Sequence, residues 1–293
     1  MTFAEIKNKI LKIVPDKLYL IMRYRSRFGR KPDLQNPVTF NEKIQWLKLY
    51  DRKPLYTQMV DKYEAKKFVA EKAGSEYVIP TLGVWDHFDE IDFDSLPDRF
   101  VLKCTHDSGG VVICRNKESF DMEAGKKKIN KSLSRNFYWI GREWPYKNVK
   151  PRIIAEAYLE DLNNRDLKDY KIFCFNGKPE FCQVIVDRSS NETIDFFDMN
   201  WVHQEFTGLG FPHKPHSSSV IQKPANFQKM KKLAAFFSKN IPFLRMDFYE
   251  VQGKLYFGEF TFYPADGFGS FYPEEWNTKT GNMLSIDSLM VDR

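Results

Sequence analysis

Two long stretches of alternating side chains, each broken by a glycine turn, restrict most strongly how this chain of 293 residues folds. Residues 169–187, DYKIFCFNGKPEFCQVIVD, reverse at Asn176–Gly177, a dipeptide typical of tight β-hairpins. Residues 243–261, FLRMDFYEVQGKLYFGEFT, reverse near Gln252–Gly253. Both stretches therefore predict antiparallel hairpins. Helical patterns precede and separate them, and runs of strands with helices laid against one side indicate an α+β fold.

Helix signals are strongest in the first 75 residues. Thr39 followed by Glu42 is a capping-box pattern, in which each side chain satisfies a backbone N–H at the start of a helix. We expect one helix there and a second from about Leu55, which ends at Gly74 because glycine commonly terminates helices. A further amphipathic helix is predicted within residues 222–241.

The second hairpin carries two acidic residues within an otherwise apolar sheet. Asp247 and Glu259 lie about equally far from the turn, so pairing brings them onto neighbouring strands, and Thr261 shares the face of Glu259. Buried carboxylates need a partner or a metal, and hard oxygen ligands suit Mg²⁺. Arg245 is either the salt-bridge partner of these acids or a phosphate contact. The alternative to a metal site is a structural network of arginine and carboxylates.

A glycine-rich hairpin is predicted within residues 100–114. Its apolar runs flank a polar segment that contains Lys103, Ser108, Gly109 and Gly110. One interpretation is an ordinary hairpin whose lysine is a solvated edge charge. The other is a phosphate cover, because backbone N–H groups of a glycine turn approach an anion closely and a lysine balances its charge. The local sequence leaves both interpretations open.

Composition and charge restrict the class of protein. The four cysteines have neither CxxC spacing nor a clustered histidine, which predicts reduced core residues, and His203, His213 and His216 form no recognisable ligand set. The chain has no apolar run of 18 residues and no signal-peptide pattern, which predicts a cytoplasmic protein. The net charge of +6, concentrated in residues 23–31 and 125–131, favours anionic partners. Nucleic acid is not an expected partner, because no nucleic-acid-binding motif is found.

The order of these motifs resembles the ATP-grasp superfamily, and most closely its TupA-like group, found among bacterial surface-polysaccharide and teichuronopeptide synthesis proteins. The resemblance covers nearly the whole chain, including NPVTFNEKIQWLKLYD, LPDRFVLKCTHDSGG, KPRIIAEAYLED, DYKIFCFNGKPEF and YFGEFTFYPADGFGSFYPEEW. It implies an α+β ATP-grasp fold, in which two subdomains hold ATP between them. The implied parts are a helical N-terminal region (1–77), a lid subdomain (78–150) and a C-terminal subdomain with the metal site (151–293).

The resemblance also implies which residues bind ATP. Those implied to contact its phosphates are Lys103, Ser108, Gly109 and Gly110. Those implied to form the adenine edge are Glu156, Ala157, Tyr158 and Leu159, and the residue implied to bind the ribose is Asp161. An exposed acid at the end of a strand is the alternative for Glu156. His106 and Asp107 either touch the substrate or have a passive role in the loop.

The implied catalytic and metal-binding residues lie on the later strands. Lys171 matches a second phosphate-binding position, with a solvent-facing lysine as the alternative, and Arg245 matches an arginine that stabilises the anionic intermediate in ligases such as D-alanine–D-alanine ligase. Asp247 and Glu259 match the Mg²⁺-binding carboxylates, with Thr261 as a third ligand. The superfamily usually has asparagine at that third position, a departure that bears on a second metal ion.

The implied reaction uses ATP and Mg²⁺ to activate a carboxylate as an acyl phosphate, which an amine attacks to form an amide. The expected partners are an anionic sugar or lipid-linked glycan as acceptor and an amino-acid amine. The alternatives are a glycosyltransferase of polysaccharide biosynthesis and a non-catalytic, membrane-associated assembly factor. We expect the chain in the cytoplasm, with peripheral contact to the inner face of the plasma membrane through the basic N-terminal region.

Overall fold

The chain folds into helices packed on antiparallel sheets. The computed structural model describes residues 12–161, 167–188, 190–210 and 213–291. Within these ranges there are one six-stranded, one four-stranded and one two-stranded sheet. This mixture of helices and sheets confirms the predicted α+β class. The prediction that residues 1–11 are helical lies outside the described residues.

The elements of the described chain are numbered here in chain order. The α-helices are α1 (Asp16–Phe28), α2 (Phe40–Tyr50), α3 (Pro54–Val60), α4 (Lys62–Ala73), α5 (Met122–Leu133), α6 (Tyr138–Gly141), α7 (Phe227–Ser238), α8 (Glu275–Met283) and α9 (Asp287–Val291). The strands are β1 (Thr81–Trp85), β2 (Phe100–Cys104), β3 (Val111–Cys114), β4 (Ile153–Ala157), β5 (Asp169–Phe175), β6 (Lys178–Val186), β7 (Thr193–Asp198), β8 (His203–Gln204), β9 (Thr207–Gly208), β10 (Phe243–Val251), β11 (Lys254–Thr261) and β12 (Phe271–Tyr272). Short 3₁₀ turns lie at Ser75–Tyr77, Phe88–Glu90, Trp144–Asn148 and Pro264–Gly267.

The six-stranded sheet, in the order β11-β10-β5-β6-β7-β8, contains both predicted hairpins. β5 and β6 reverse at Asn176–Gly177, where φ is 49° and 82°, and β10 and β11 reverse at Gln252–Gly253, where φ is 51° and 74°. Positive φ at both central residues is what a tight type I′ turn requires. The two turns therefore fix the register that aligns polar side chains across the sheet.

The two faces of this sheet have different neighbours. Helix α7 contacts β5, β6 and β10 with the apolar side that its sequence predicts, including the buried Met230 and Phe237. On the other face, Phe40 of α2 packs against Phe175 and Phe243, with ring centroids 6.1 and 5.1 Å away. Because side chains alternate along a strand, this second face continues from the aromatic cluster to the polar residues of β5 and β10.

The four-stranded sheet has the order β1-β4-β2-β3. β2 and β3 form the predicted glycine hairpin, with Phe100 opposite Cys114 and Lys103 opposite Val111. β4 lies between β1 and β2, so this sheet extends to Ala157, past the position between residues 150 and 151 where the sequence places a subdomain boundary. Strand order is a tertiary property, which the local pattern of residues does not contain.

The helical N-terminal part agrees with the sequence at one site and differs at another. Thr39 caps α2, and both reciprocal hydrogen bonds of the predicted capping box are present. The single helix predicted from about Leu55 to Gly74 is instead two helices. The break occurs at Asp61, whose side chain accepts hydrogen bonds from the backbone N–H groups of Tyr63 and Glu64 and so begins α4.

The cysteines and the helices agree with two further expectations. All four cysteines are buried and free, and burial raises the pKa of Cys104 to about 11 and of Cys174 to about 12, which keeps both thiols protonated at neutral pH. In the part of the chain that the structure describes, none of the helices has the length and apolar character needed to cross a bilayer.

We expect Thr39→Ala to lower the free energy of unfolding by about 1 kcal/mol, because the backbone N–H of Glu42 loses the hydroxyl that accepts its hydrogen bond at the start of α2. Thr39→Ser keeps the hydroxyl and is expected to stay within about 0.5 kcal/mol of wild type. Urea denaturation measures both variants. Equal stability of the alanine and serine variants would show that the cap contributes nothing.

Candidate active site

The polar centre of the six-stranded sheet is the guanidinium group of Arg245. Its Nε donates to Asp247 Oδ1 at 2.7 Å, and its Nη2 donates to Asp247 Oδ2 at 2.8 Å. The same Nη2 lies 3.2 Å from Glu259 Oε1 and 3.0 Å from Thr261 Oγ1. These four residues and Lys171 are called the carboxylate cluster below. The predicted convergence of Asp247, Glu259 and Thr261 on one face is therefore present.

An irregularity in the hairpin brings the two acids together. Arg245 pairs with Thr261, but the register of β10 and β11 shifts between Met246 and Phe248, so that two residues of β11, Gly258 and Glu259, lie opposite Asp247. Such a bulge re-aims the side chains next to it. The result is asymmetric, because Asp247 is 2% exposed while the side chain of Glu259 is 43% exposed.

Lys171 enters the cluster from β5. It pairs with Asp247 across the strands and its ammonium group donates to Asp247 Oδ2. Lys171 is 5% exposed, so the alternative of a solvent-facing lysine does not describe it. Its Nζ also lies 3.7 Å from Asp169, which is held on the other side by Arg188 at 3.0 Å. The sequence analysis did not identify Asp169, although its position two residues before Lys171 places it on the same face.

These contacts decide the charge of the buried acid. Burial opposes ionisation of Asp247, but the charges of Arg245 and Lys171 outweigh it and hold the pKa of Asp247 below its usual value. Burial likewise disfavours the charged form of Arg245, and the carboxylates of Asp247 and Glu259 overcome this and raise its pKa. In the folded chain the cluster is thus a set of formal charges that compensate one another.

A second ionic group lies in the four-stranded sheet. Oε1 of Glu156, on β4, lies 2.6 Å from Nζ of Lys66 on α4, and its Oε2 lies 2.5 Å from Nζ of Lys103 on β2. Burial opposes ionisation of Glu156, but the two lysines lower its pKa to about 2. β2 is an internal strand, so Lys103 is not an edge charge, and Glu156 is 4% exposed, so it is not an exposed acid. Lys66 lies on a distant helix, and the sequence analysis missed it.

The glycine loop between β2 and β3 has a fixed base and an exposed tip. His106 and Asp107 are buried in the base, where His106 Nε2 lies 3.1 Å from the carbonyl oxygen of Arg135 and Asp107 accepts from Ser132. Burial and these contacts favour the passive role in the loop, which stays a prediction for both side chains. Gly110 is also in the base, and the exposed residues are Ser108 and Gly109.

The four residues after Glu156 that the sequence assigns to adenine and ribose lie where β4 ends. Ala157, Tyr158, Leu159 and Asp161 are half-buried. The backbone N–H of Ala157 donates a hydrogen bond to the carbonyl oxygen of Pro80 at 3.0 Å. Glu156 itself points to lysines, and each of its oxygens already accepts a charged donor. These positions remain predictions for nucleotide contacts.

The sequence analysis missed Glu143 and Tyr146, two groups whose pKa values respond to the charge of Glu259. Glu143 lies at the start of the turn Trp144–Asn148 and is 7% exposed. The charges of Asp266, Lys48 and Glu259 act on its carboxyl group. Burial raises the pKa of Tyr146 far above its usual value, and the surrounding acids include Glu143, Glu259 and the loop residue Asp107. The charges that act on Tyr146 therefore include residues of both the glycine loop and the carboxylate cluster.

Comparison with known proteins assigns the family. The family described as TupA-like ATPgrasp matches residues 42–285, a range that includes both ionic groups and the glycine loop. The chain belongs to the TupA-like ATP-grasp family. This confirms the family and the ATP-grasp fold that the sequence resemblance implied. A comparison with curated proteins found no match.

Solved ATP-grasp ligases are similar to this chain at low identity. D-alanine–D-alanine ligase from Bacillus anthracis is 16% identical, with 80% of this chain and 66% of that chain covered and a TM-score of 0.43. The ligase from Helicobacter pylori is 13% identical, with 87% and 67% covered and a TM-score of 0.44. The complex of the same Bacillus anthracis ligase with ATP is covered over only 53% of its length. Similarities of this size assign no substrate to the chain.

The donor set of the carboxylate cluster fits Mg²⁺. Asp247, Glu259 and Thr261 present carboxylate and hydroxyl oxygens, the hard ligands that Mg²⁺ prefers. Among the described residues, Asp247 Oδ1 accepts one hydrogen bond, from Arg245 Nε, and so keeps a lone pair. The exposed side chain of Glu259 opens the same cluster to solvent.

The pKa of Glu143 gives a test of this electrostatic description. Burial, followed by the carboxylate of Asp266, raises its pKa from 4.5 to about 8. The folded protein therefore keeps a proton that the unfolded chain loses near its ordinary pKa, so this contribution to stability is complete below about pH 4.5 and is lost as the pH rises to about 8. We expect the stability of Glu143→Gln, relative to wild type, to increase over this range in urea denaturation without divalent metal.

The matched control for this experiment is Glu118→Gln, which removes an exposed carboxyl group on a surface turn. Its stability relative to wild type is expected to change little over the same range of pH. A constant difference between Glu143→Gln and wild type at every pH would contradict a raised pKa at Glu143.

Proposed function

We propose that this chain is an ATP- and Mg²⁺-dependent ligase that joins a carboxylate to an amine through an acyl phosphate. The observation that carries the proposal is the convergence of Arg245, Asp247, Glu259, Thr261 and Lys171 on one face of a sheet, within the range matched by an ATP-grasp family. Oxygen ligands for a metal ion and fixed cations are the groups that position and neutralise phosphates in phosphoryl transfer.

In this proposal the phosphates of ATP lie between the carboxylate cluster and the ionic group around Glu156. Lys103 supplies a positive charge from β2, and the exposed Ser108 and Gly109 supply backbone N–H groups from the loop tip. Lys66 allows Lys103 to take this role. When Lys103 turns to a phosphate, Glu156 is still paired with the ammonium group of Lys66. The fixed base of the loop limits the movement needed for closure to the tip.

Arg245 and Lys171 are proposed to stabilise the charge that develops during transfer. Both are buried or nearly so, and both are held by Asp247, so they are oriented before the substrate arrives. Asp247, Glu259 and Thr261 would hold Mg²⁺, which neutralises phosphate charge when bound. The asymmetry in burial divides these roles, because Asp247 positions the cations while Glu259 faces the open side of the cluster.

The proposed chemistry needs no nucleophile from the protein. An oxygen of the substrate carboxylate attacks the γ-phosphorus, and the bond from that phosphorus to the oxygen of ADP breaks. The amine nitrogen then attacks the acyl carbon, phosphate leaves and the nitrogen loses a proton. Positioning and charge neutralisation supply most of the catalysis in such steps.

The proposed acceptor is an anionic sugar or a lipid-linked glycan with a uronic acid, and the proposed donor is an amino acid. The family resemblance and the net charge of +6 support an anionic substrate. Peripheral contact with the plasma membrane stays a prediction.

Mass spectrometry of reactions with ATP, Mg²⁺, amino acids and uronate glycans tests the proposed function. We expect ADP, phosphate and a product whose mass is the sum of acid and amine less one water. A parallel panel of nucleotides separates a ligase from a glycosyltransferase. Turnover of a UDP- or GDP-sugar without consumption of ATP would contradict the proposal, as would release of AMP.

We expect Glu259→Gln to lower ATP-dependent turnover by roughly 10²–10³-fold, about 3–4 kcal/mol of transition-state stabilisation, because an anionic ligand becomes a neutral amide. Glu71→Gln, an exposed acid on α4, is the control and should turn over at the wild-type rate. Both variants should unfold at nearly the wild-type temperature. Turnover of Glu259→Gln close to wild type would exclude a metal role for this residue.

We expect Lys103→Ala to weaken binding of ATP with Mg²⁺ by about 10–100-fold, the effect of losing one charged hydrogen bond of about 1.5–3 kcal/mol. The fold is expected to persist because Lys66 still compensates the charge of Glu156. Lys128→Ala, at an exposed position of α5, is the control. Isothermal titration calorimetry measures the affinities, and an unchanged affinity in Lys103→Ala would assign Lys103 a structural role only.

A further inference from the structure

Asp195, His203 and His216 meet at the far edge of the six-stranded sheet. Nε2 of His203 lies 2.8 Å and Nδ1 of His216 lies 3.1 Å from the same oxygen, Oδ1 of Asp195. The sequence shows no recognisable ligand set among the histidines, whereas the fold brings two of them to one acid. The three residues come from β7, from β8 and from the segment after β9, so no spacing in the sequence shows that they meet.

The carboxylate is held in a fixed orientation. Oδ2 of Asp195 accepts a hydrogen bond from the backbone N–H of Ser217 at 3.0 Å, which leaves Oδ1 directed at the two imidazole rings. The backbone of the preceding residue is fixed as well, because the N–H of Ile194 donates to the carbonyl oxygen of Pro215 at 3.0 Å. Outer hydrogen bonds of this kind orient the ligands in metal sites.

The distances and exposures leave room for an ion. Ligand atoms in a tetrahedral zinc site are about 3.4 Å apart, because each lies about 2.0–2.2 Å from the metal. The two histidines therefore need to move outward by about 0.3–0.6 Å from their present positions. Their side chains are 45% and 33% exposed and are free to make this shift, whereas Asp195 is 2% exposed and stays in place.

We propose that Asp195, His203 and His216 bind one Zn²⁺ ion, with water completing its coordination. Two imidazole nitrogens and one carboxylate oxygen are a donor set suited to zinc, whereas Mg²⁺ prefers oxygen ligands alone. In the part of the chain that the structure describes, this is the one group of three or more histidine, cysteine or acidic side chains whose ligand atoms lie close enough together to bind one ion.

This site is separate from the carboxylate cluster. Lys171 pairs with Gln183, and Gln183 pairs with Phe196, so these three side chains share one face of the sheet. Asp195 precedes Phe196 and therefore lies on the opposite face. The bound ion fastens residues 213–217 to the edge formed by β7 and β8, which gives it a structural role that does not depend on the proposed ligase reaction.

Zinc titration of the whole chain, prepared without a histidine tag, tests the proposal. We expect about one Zn²⁺ per chain, measured by elemental analysis after ultrafiltration, with an affinity in the micromolar range or tighter. His203→Ala and His216→Ala are each expected to weaken this binding at least tenfold. Co²⁺ should show the visible absorption of a four-coordinate site in the wild type and lose it in both variants.

His213→Ala and Glu259→Gln are the controls for this titration. His213 lies three residues from His216, but its ring packs on Tyr272 at 4.2 Å instead of joining the group, so its removal should leave zinc affinity unchanged. Glu259→Gln alters the carboxylate cluster and should also retain the zinc site. The proposal is overturned if the wild type shows no saturable binding, or if both histidine variants bind as the wild type does.

Discussion

The ion pair between Arg245 and Asp247 organises the candidate site. A carboxylate that is 2% exposed costs several kcal/mol unless its charge is compensated, and Arg245 meets both of its oxygens within 2.8 Å. The same guanidinium reaches Glu259 and Thr261 on the next strand, and Lys171 approaches from the other side. The positions of these side chains in the site thus depend on one buried pair.

The carboxylate cluster and the ionic group around Glu156 share one arrangement of charges, which suits the proposed binding of phosphates. In each group, buried acids hold cations in place: Asp247 holds Arg245 and Lys171, and Glu156 holds Lys66 and Lys103. In the proposed complex, a triphosphate and its metal would bring charges of both signs, so contacts within the protein would exchange for contacts with the ligand without leaving a buried charge unpaired. Because the cations are already oriented, less reorganisation would be needed during the proposed phosphoryl transfer.

The sequence predicts those parts of the structure that local rules determine. Strand alternation and a glycine turn predict the hairpin that carries Asp247 and Glu259, and the capping box at Thr39 is equally local. The bulge opposite Asp247, which puts both acids on one face, has no comparable signal in the sequence pattern. Contacts between distant segments were missed for the same reason. Lys66 reaches Glu156 from a helix 90 residues earlier, and the position of β4 between β1 and β2 depends on packing. Similarly, no spacing rule brings His203 and His216 to Asp195.

A crystal structure of the chain with Mg²⁺ and a non-hydrolysable ATP analogue would show whether the ion pair of Arg245 and Asp247 lies at the centre of an ATP site. We expect the γ-phosphate to lie over Arg245 and Lys171, the ion to be bound by Asp247 and Glu259, and Ser108 and Gly109 to cover the phosphates. A nucleotide bound elsewhere on the chain, or a bound triphosphate whose phosphates and metal make no contact with the carboxylate cluster, would contradict the claim that this buried ion pair is the centre of an ATP site.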